Sequence, residues 1–439
     1  MARPSTMTSS PRGWILAAPS SNSGKTLVST ALLRLLAREG EAVTPYKVGP
    51  DYIDPGFLSA AAGSDCYNLD PWAMSPGRLD DLIARAGQAF LIEGVMGLFD
   101  GAVSGDGSTA DLAADLQLPI ILVISTKGQG ASVAALAQGF ANFRADVSVA
   151  GVILTQVASP RHRKLLVDAC QAAGIRVFGV LATDQALTLR ARHLGLVQAS
   201  ERQDLDQLLE QAADVLARDI DLAGLRDIAA APKAGPSGPA PTIPPLGQKI
   251  AVARDVAFGF SYPHVLDDWR AAGAEIEFFS PLRDQAPAGD VDAVYLPGGY
   301  PELHAAQLAA NHTFLAGLRT ATCNGAVILG ECGGYMVLGQ GVVDGNGARH
   351  AMAGLLNLET TFADRKLHLG YRKMSLLADG PLGGRQGRYR GHEFHYASIL
   401  REDGDRLFAI RDALGEQAVQ VGLRAGGVMG SFIHLIDIA

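Results

Sequence analysis

Apolar and polar positions alternate in blocks along the first half of the chain. The runs "GWILAA" (13–18), "AVTPYKV" (42–48), "AFLIEG" (89–94), "PIILVIS" (119–125), "VAGVILT" (149–155) and "RVFGVL" (176–181) carry few charges. Such runs predict strands covered on both faces. Between them, residues 26–38, 108–117, 130–142 and 160–173 place apolar side chains at helical spacing. Strands alternating with helices predict βαβ units and a mainly parallel sheet. The pattern stops at 229–247, "AAAPKAGPSGPAPTIPPLG", a proline-rich stretch without apolar periodicity that reads as a semi-rigid linker. It then restarts with strands at 249–255, 275–281, 293–299 and 325–331 and helices near 263–272 and 301–319. The expected organisation is an α/β domain over 11–228, a linker over 229–247 and a second α/β domain over 248–439. No internal repeat is present.

At 439 residues the chain exceeds one ordinary core, which agrees with two domains. With 48% hydrophobic and 19% charged residues it has the make-up of a packed globular protein. A formal charge of −8 and the lack of a basic stripe exclude a nucleic-acid binder. No uncharged apolar run reaches the roughly 18 residues of a membrane span. The opening "MARPSTMTSSPRG" has no apolar signal-peptide core, so the expected location is cytoplasmic. Cys66, Cys170, Cys323 and Cys332 show no metal-binding spacing. They are expected to be reduced, so any special cysteine is chemical rather than structural.

The stretch "APSSNSGKT" ends as a phosphate-binding loop ends, with Gly24, Lys25 and Thr26 opening an apolar helix. It departs from G-x-x-x-x-G-K-[ST] at Pro19, where the first glycine belongs. A helix N-terminus offers phosphates free N–H groups and a positive dipole end. Lys25 would reach the outer phosphates and Thr26 would ligate Mg²⁺. The competing reading is a helix cap built from Ser20, Ser21, Asn22 and Ser23. Two further segments carry carboxylates. "KVGPDYIDPGF" puts Asp51 and Asp54 in a loop after the second strand. "LIEGVMGLFDG" puts Glu93 at the end of the third strand and Asp100 further into the loop. Open α/β sheets bind ligands at the carboxyl ends of their strands, so these groups are expected to converge with Lys25. Hard oxygen ligands beside phosphate suit Mg²⁺.

In the second half, "VILGECGGYMVLG" runs an apolar strand into Gly330-Glu331-Cys332-Gly333-Gly334 and then a helix. This is the thiol form of a G-x-S-x-G nucleophile elbow. The helix N-terminus is expected to lower the thiol pKa. "YLPGGYPE" ends another strand, and Gly298 and Gly299 offer N–H groups for an oxyanion hole. A thiol nucleophile needs a base. The residues leave that choice open between His434 in "GSFIHLIDIA" and His392 or His395 in "GHEFHYAS". Cys323 has no elbow and reads as a packing or surface thiol.

Taken together, "APSSNSGKT", "YKVGPDYIDPGFL", "LIEGVMGLFDG", "RHLGLV" (192–197), "LPGGYPE", "GECGGYMVLG", "GHEFHYA" and "GSFIHL" resemble the cobyrinic and hydrogenobyrinic acid a,c-diamide synthases. The matching segments span nearly the whole chain in order. The resemblance implies two three-layer α/β domains: a P-loop NTPase similar to dethiobiotin synthetase, and a class I-like glutamine amidotransferase. It implies ATP and L-glutamine as co-substrates, Mg²⁺ as cofactor and a tetrapyrrole acid as substrate. Ser23, Gly24, Lys25 and Thr26 would hold ATP. Thr26, Asp51 and Glu93 would hold Mg²⁺. Asp54, Asp100, Arg192 and His193 would face the substrate or its acyl phosphate, with Arg390 a further candidate. Cys332 would attack glutamine with His434 as base, leaving "GHEFHYA" as scaffold or substrate wall. The chain departs from the family pattern at Asn22, often glycine, and at Thr155-Gln156, commonly Asn-Arg. It departs again at Ile436, where ordinary class I amidotransferases carry glutamate; Asp437 is the alternative orienting group. Another tetrapyrrole acid, such as nickel-sirohydrochlorin or a cobyric acid synthase substrate, is the neighbouring reading. A P-loop switch with an inactive glutaminase is the more distant one. Oligomeric state stays open, a homodimer included.

Overall fold

The computed structural model describes residues 10–183, 191–192, 195–233, 240–416 and 418–439. His193 and the side chain of Arg192 lie outside the described residues. The chain forms two compact units that divide between Ala240 and Pro241, with the short segment Ala102–Ser104 grouped with the second.

The first unit contains, in chain order, β1 (Arg12–Ala17), α1 (Lys25–Arg38), β2 (Val43–Val48), α2 (Asp54–Ala62), β3 (Tyr67–Leu69), α3 (Pro76–Ala84) and β4 (Ala89–Glu93). There follow α4 (Thr109–Leu116), β5 (Ile120–Ser125), α5 (Ser132–Asn142), β6 (Val149–Val157), α6 (Pro160–Ala172) and β7 (Val177–Ala182). A two-residue ladder, β8 (Ala191–Arg192) with β9 (Gly195–Leu196), leads to α7 (Leu205–Ala217) and α8 (Leu222–Ile228). Seven strands form one parallel sheet in the order β3-β2-β4-β1-β5-β6-β7. The six predicted strands are all present, and their buried residues pack with Val28, Leu32 and Leu36 of α1. The sequence pattern missed α2, α3, α7 and α8. It also placed Asp54 in a loop, whereas Asp54 opens α2 with Pro55 behind it. Proline is favoured in a first helical turn because its missing N–H is not needed there.

The chain order matters for the site. β4 enters the sheet between β2 and β1, in register, so that Glu93 stands beside Leu16 on one side and Lys47 on the other. Three strand ends thereby meet at one edge.

The second unit contains β10 (Lys249–Ala253), α9 (Pro263–Ala271), β11 (Glu275–Phe279), β12 (Ala293–Leu296), α10 (Ala305–Ala310), α11 (His312–Cys323), β13 (Val327–Glu331) and α12 (Gly333–Leu338). The rest is strand: β14 (Gly341–Val343), β15 (Arg349–Ala351), β16 (Leu358–Thr361), β17 (His368–Leu376), β18 (Arg388–His395) and β19 (Ser398–Glu402). Then come β20 (Asp405–Asp412), β21 (Val419–Ala425), β22 (Val428–Ser431) and β23 (Ile433–Ile438). The main sheet runs β11-β10-β12-β13-β22-β21-β20-β17-β18-β23. It is parallel from β11 to β22 and antiparallel beyond. A smaller sheet, β15-β14-β16-β19, completes the unit. The helix expected over 301–319 is instead a 3-10 turn, Pro301–His304, followed by α10 and α11. The break falls at Asn311, whose ψ of 78° is not helical and whose side chain donates to Pro281 O.

The proline-rich stretch is docked at both ends. Ala230 exchanges two backbone hydrogen bonds with Gly13 at the start of β1, and Lys233 N donates to Leu116 O. At the other end Ile243 and Leu246 are buried, and Trp269 Nε1 donates to Ile243 O. Among the described residues no helix is long and apolar enough to cross a membrane.

Candidate functional site

At the carboxyl edge of the first sheet, the loop after β1 turns sharply into α1. Asn22 and Gly24 have φ of 64° and 86°. Asparagine is one of the few side chains that enters the left-handed region readily, so the loop keeps its shape without glycine at that position. Thr155 closes the loop from behind. Its hydroxyl donates to Ser23 O at 2.7 Å, and its side chain would lie 3.5 Å from any Cβ at Gly24. Gln156 Nε2 reaches Asn22 O at 3.5 Å. Thr155 and Gln156 are therefore held to the loop backbone.

Lys47 is the residue that sequence reasoning missed. Its ammonium is buried at the end of β2. It donates to Asp54 Oδ2 and Glu93 Oε1, each at 2.7 Å, and to Gly94 O at 3.1 Å. Asp51 Oδ2 stands 3.9 Å away. The Thr26 hydroxyl meets the same two carboxylates, at 3.3 Å from Asp54 and 3.1 Å from Glu93. Lys25 Nζ donates to Met96 O at 2.9 Å. The only signal in the sequence was a lysine inside an otherwise apolar strand.

The four predicted carboxylates have different partners. Asp54 and Glu93 share Lys47 and Thr26. Asp51 spends Oδ1 on the N–H groups of Ile53 and Asp54, at 2.7 and 3.1 Å, fixing the start of α2. Asp100 is exposed, and its carboxylate accepts from Gly97 N at 2.8 Å within its own loop. Ser23 is buried and donates to Ser20 O.

Charge states follow from this packing. Burial works against the Lys47 ammonium, but Asp54 and Glu93 reverse that and hold it above its ordinary range. Burial, then the charge on Lys47, lowers Lys25 to about 8. Burial, reinforced by Asp54, lifts Asp51 to about 7. Burial raises Glu93. It acts the same way on Asp54, where Lys47 overrides it and keeps the carboxyl below its usual range.

In the second unit Cys332 sits between β13 and α12 with φ 47° and ψ −104°, a strained turn for a residue with a side chain. The glycines around it are required by space. A Cβ at Gly334 would strike Leu296 O, and one at Gly333 would press on Pro301. A Cβ at Gly298 would collide with His434, stand 3.0 Å from its Nε2 and lie 3.2 Å from Cys332 Cβ. Cys332 and His434 thus flank one bare point on the backbone. Gly298 also pairs with Phe260 in an isolated antiparallel bridge, where Phe260 N donates to Gly298 O at 2.9 Å.

The expected lowering of the Cys332 pKa is overturned in the resting protein. Burial, then the Glu302 carboxylate, pushes the thiol well up; the Gly333 N–H pulls it down but does not win. Burial, then His392 and His395, takes His434 down to about 3. The resting pair is a neutral thiol and a neutral imidazole.

"GHEFHYA" is a packed wall. His395 stacks on Phe432 at 3.9 Å and on His368 at 4.7 Å, and Glu393 is bound by Arg372 at 2.7 Å. The His368 and His395 rings lie 7° from parallel. Nearly parallel rings cannot both aim in-plane lone pairs at one ion, so this histidine–glutamate cluster is not built as a metal site. Cys323 is exposed, while Cys66 and Cys170 are buried and free.

Comparison with known proteins agrees with the two units. Residues 14–197 match the family described as CobQ/CobB/MinD/ParA nucleotide binding domain. Residues 249–437 match the CobB/CobQ-like glutamine amidotransferase domain. A Brucella anthropi protein named hydrogenobyrinate a,c-diamide synthase is 52% identical over 432 residues, covering 97% of this chain and 98% of that protein. A protein of the same name from Rhizobium meliloti is 51% identical, covering 97% and 99%. A third, from Rhodobacter capsulatus, is 49% identical, covering 98% and 100%.

The Lys47 cluster makes a stability prediction. Lys47→Met leaves Asp54 and Glu93 buried without their shared cation and should cost about 3–5 kcal/mol near neutral pH. In the native protein Asp54 has a depressed pKa, so its contribution is present above the unfolded carboxylate pKa and fades as pH falls through the folded value. In the variant the buried carboxylates resist ionisation, so its deficit should shrink as pH falls. Melting temperatures of both proteins across the acid range test this; a deficit that does not change with pH would contradict it.

Proposed function

The chain belongs to the hydrogenobyrinate a,c-diamide synthase family, and from that premise we propose that it converts the a and c carboxylates of hydrogenobyrinate to carboxamides, using ATP and glutamine, within cobalamin biosynthesis. The observation that carries the reading is the Cys332–His434 pair flanking Gly298, in one chain with a phosphate loop whose threonine faces paired carboxylates.

In the first unit, a substrate carboxylate oxygen attacks the γ-phosphorus of ATP; ADP leaves and an acyl phosphate forms. Lys25 and the α1 N-terminus bind the phosphate charge. The donor set at this edge is all oxygen, and Glu93 Oε2 is buried without a hydrogen-bond partner. That fits a hard divalent cation. Thr26, Asp54 and Glu93 would hold Mg²⁺, which when bound supplies positive charge beside the phosphates. Asp54 enters this assignment because its Oδ2 meets the Thr26 hydroxyl, whereas Asp51 spends Oδ1 on the start of α2 and keeps Oδ2 toward Lys47. Lys47 stays protonated and fixes both carboxylates.

In the second unit, His434 Nε2 takes the Cys332 proton as sulfur attacks the amide carbon of glutamine. The N–H groups of Gly298 and Gly299 receive the oxyanion. Collapse returns the proton from Nε2 to the leaving nitrogen, releasing ammonia and a thioester that water hydrolyses to glutamate. Ammonia then attacks the acyl-phosphate carbon, and phosphate leaves with loss of a proton.

Cys332→Ala should abolish glutamine-dependent amidation while synthesis with added ammonium salt persists. Lys25→Ala should remove both. Mass spectrometry of products from hydrogenobyrinate and from its cobalt form reads the result and the ring preference together. Loss of ammonia-supported synthesis in a folded Cys332→Ala protein would break this division of labour.

ATP affinity should depend on pH. Free protein loses the Lys25 proton above about 8, and phosphate binding needs the ammonium, so binding there takes up a proton. The Kd for ATP should rise above that pH, by up to about tenfold per unit. Calorimetry in buffers of different ionisation heat measures the uptake; a Kd that stays level from neutral to alkaline pH would refute the role given to Lys25.

A further inference from the structure

Ile436 stands where class I amidotransferases carry the glutamate that orients their histidine, so an acidic partner for the imidazole has to come from another position. We propose that Glu331, the residue immediately before the nucleophile, is the positioning residue of His434: its carboxylate faces Nδ1 and stabilises the imidazolium formed when Nε2 takes the Cys332 proton. The inference rests on the glutaminase role proposed for Cys332 and His434.

The geometry divides the ring cleanly. Nε2 is the nitrogen near Gly298 and Cys332. Nδ1 lies 3.9 Å from Glu331 Oε2. Glu331 itself is fixed at both oxygens. Tyr295 OH donates to Oε2 at 2.8 Å, and Leu435 N, from the residue after the histidine, donates to Oε1 at 3.2 Å. The carboxylate is thus tied to β12 and to β23 on either side of its own β13. Among the described residues His434 is its only basic neighbour within 4.0 Å.

A buried carboxylate held only by neutral donors is costly for stability. Burial lifts Glu331 to about 7, despite both donors. That cost is offset when the neighbouring imidazole becomes cationic. In the transferring state Nε2–H forms as the Sγ–H bond breaks, Nδ1 keeps its hydrogen, and Glu331 stays ionised beside it. Catalytic hydrogen bonds are often long before substrate binds, so 3.9 Å suits a pair that tightens on charge transfer. Charges on His392, His395 and Glu393, all on β18, also act on His434. Asp437 is the competitor on β23. A bulge at Ile436 brings it level with Arg390, on the strand face that His434 shares with His392.

The test measures glutamine hydrolysis by the full-length protein against pH. In the native enzyme kcat should fall on the acid side of neutrality, and Glu331→Gln should lower kcat by about tenfold to a hundredfold with little change in KM and erase that acid limb. Glu331→Asp, which keeps the charge, should restore that limb at reduced rate. Tyr295→Phe, a milder change, should lower kcat in the same direction if Glu331→Gln fails to fold. A native pH profile in folded Glu331→Gln, or a uniform loss of rate at every pH, would overturn the proposal. So would loss of the acid limb in Asp437→Asn alone. Cys332→Ala is the control: if it still hydrolyses glutamine, the glutaminase reading itself fails, whatever Glu331 does.

Discussion

An ammonium buried at the end of β2 sets the terms for the whole nucleotide edge. Lys47 cannot leave water without counter-charges, and Asp54 and Glu93 cannot ionise there without Lys47. The three therefore fix one another. Glu93 also faces Thr26, so the first turn of α1 is tied to the ends of β2 and β4. The charge on Lys47 reaches Lys25 as well, and helps bring its pKa close to neutral. Two ammonium groups then oppose three carboxylates, one of which, Asp51, is poised near neutrality. The cluster is close to balanced without a ligand, and a phosphate and a divalent cation entering together would keep it so.

The second unit solves the opposite problem. Its proposed nucleophile and base, Cys332 and His434, are kept neutral by burial, with the thiol pushed up and the imidazole pushed down. A neutral thiol is a weak nucleophile. What the fold supplies at rest is position: a strained elbow, glycines that let β12, β13 and α12 approach, and a bare point at Gly298 between sulfur and imidazole. Ionisation has to come with the amide substrate.

What the sequence made legible, and what it did not, divides along the same line. Local chemistry was visible. The strand ends, the phosphate loop, the elbow and the tolerance of Asn22 for a left-handed turn all depend on neighbours in the chain. Lys47 and Glu331 were passed over because their partners are strand neighbours in space. Lys47 meets Glu93 only because β4 enters the sheet between β2 and β1. Glu331 meets His434 only because β23 runs close enough to β13 for Leu435 N to reach its carboxylate. The different settings of Asp51 and Asp54 escaped for a smaller reason: Asp51 Oδ1 accepts from Ile53 N and Asp54 N only because α2 begins at Asp54. The antiparallel half of the second unit escaped because strands such as His368–Leu376 mix charged and apolar residues, as antiparallel strands with one solvated face do.

Departures from the family pattern also become intelligible through contacts. Thr155 and Gln156 are bound to the phosphate loop, so their side chains serve the loop's shape. At the other site, the bulge at Ile436 lets its carbonyl meet His264 Nε2 at 2.9 Å and shifts the following residues by one place. A carboxylate two residues after the histidine is therefore replaced by hydrophobic packing. The position next to the nucleophile has the same access to the ring from the opposite strand. A residue on β13 is also better placed to hold its orientation, because a strand buried among parallel neighbours moves less than the last strand of a sheet. An anchor there ties base and nucleophile to one rigid segment, so their relative geometry is set by adjacent backbone positions rather than by two separate ends of the fold.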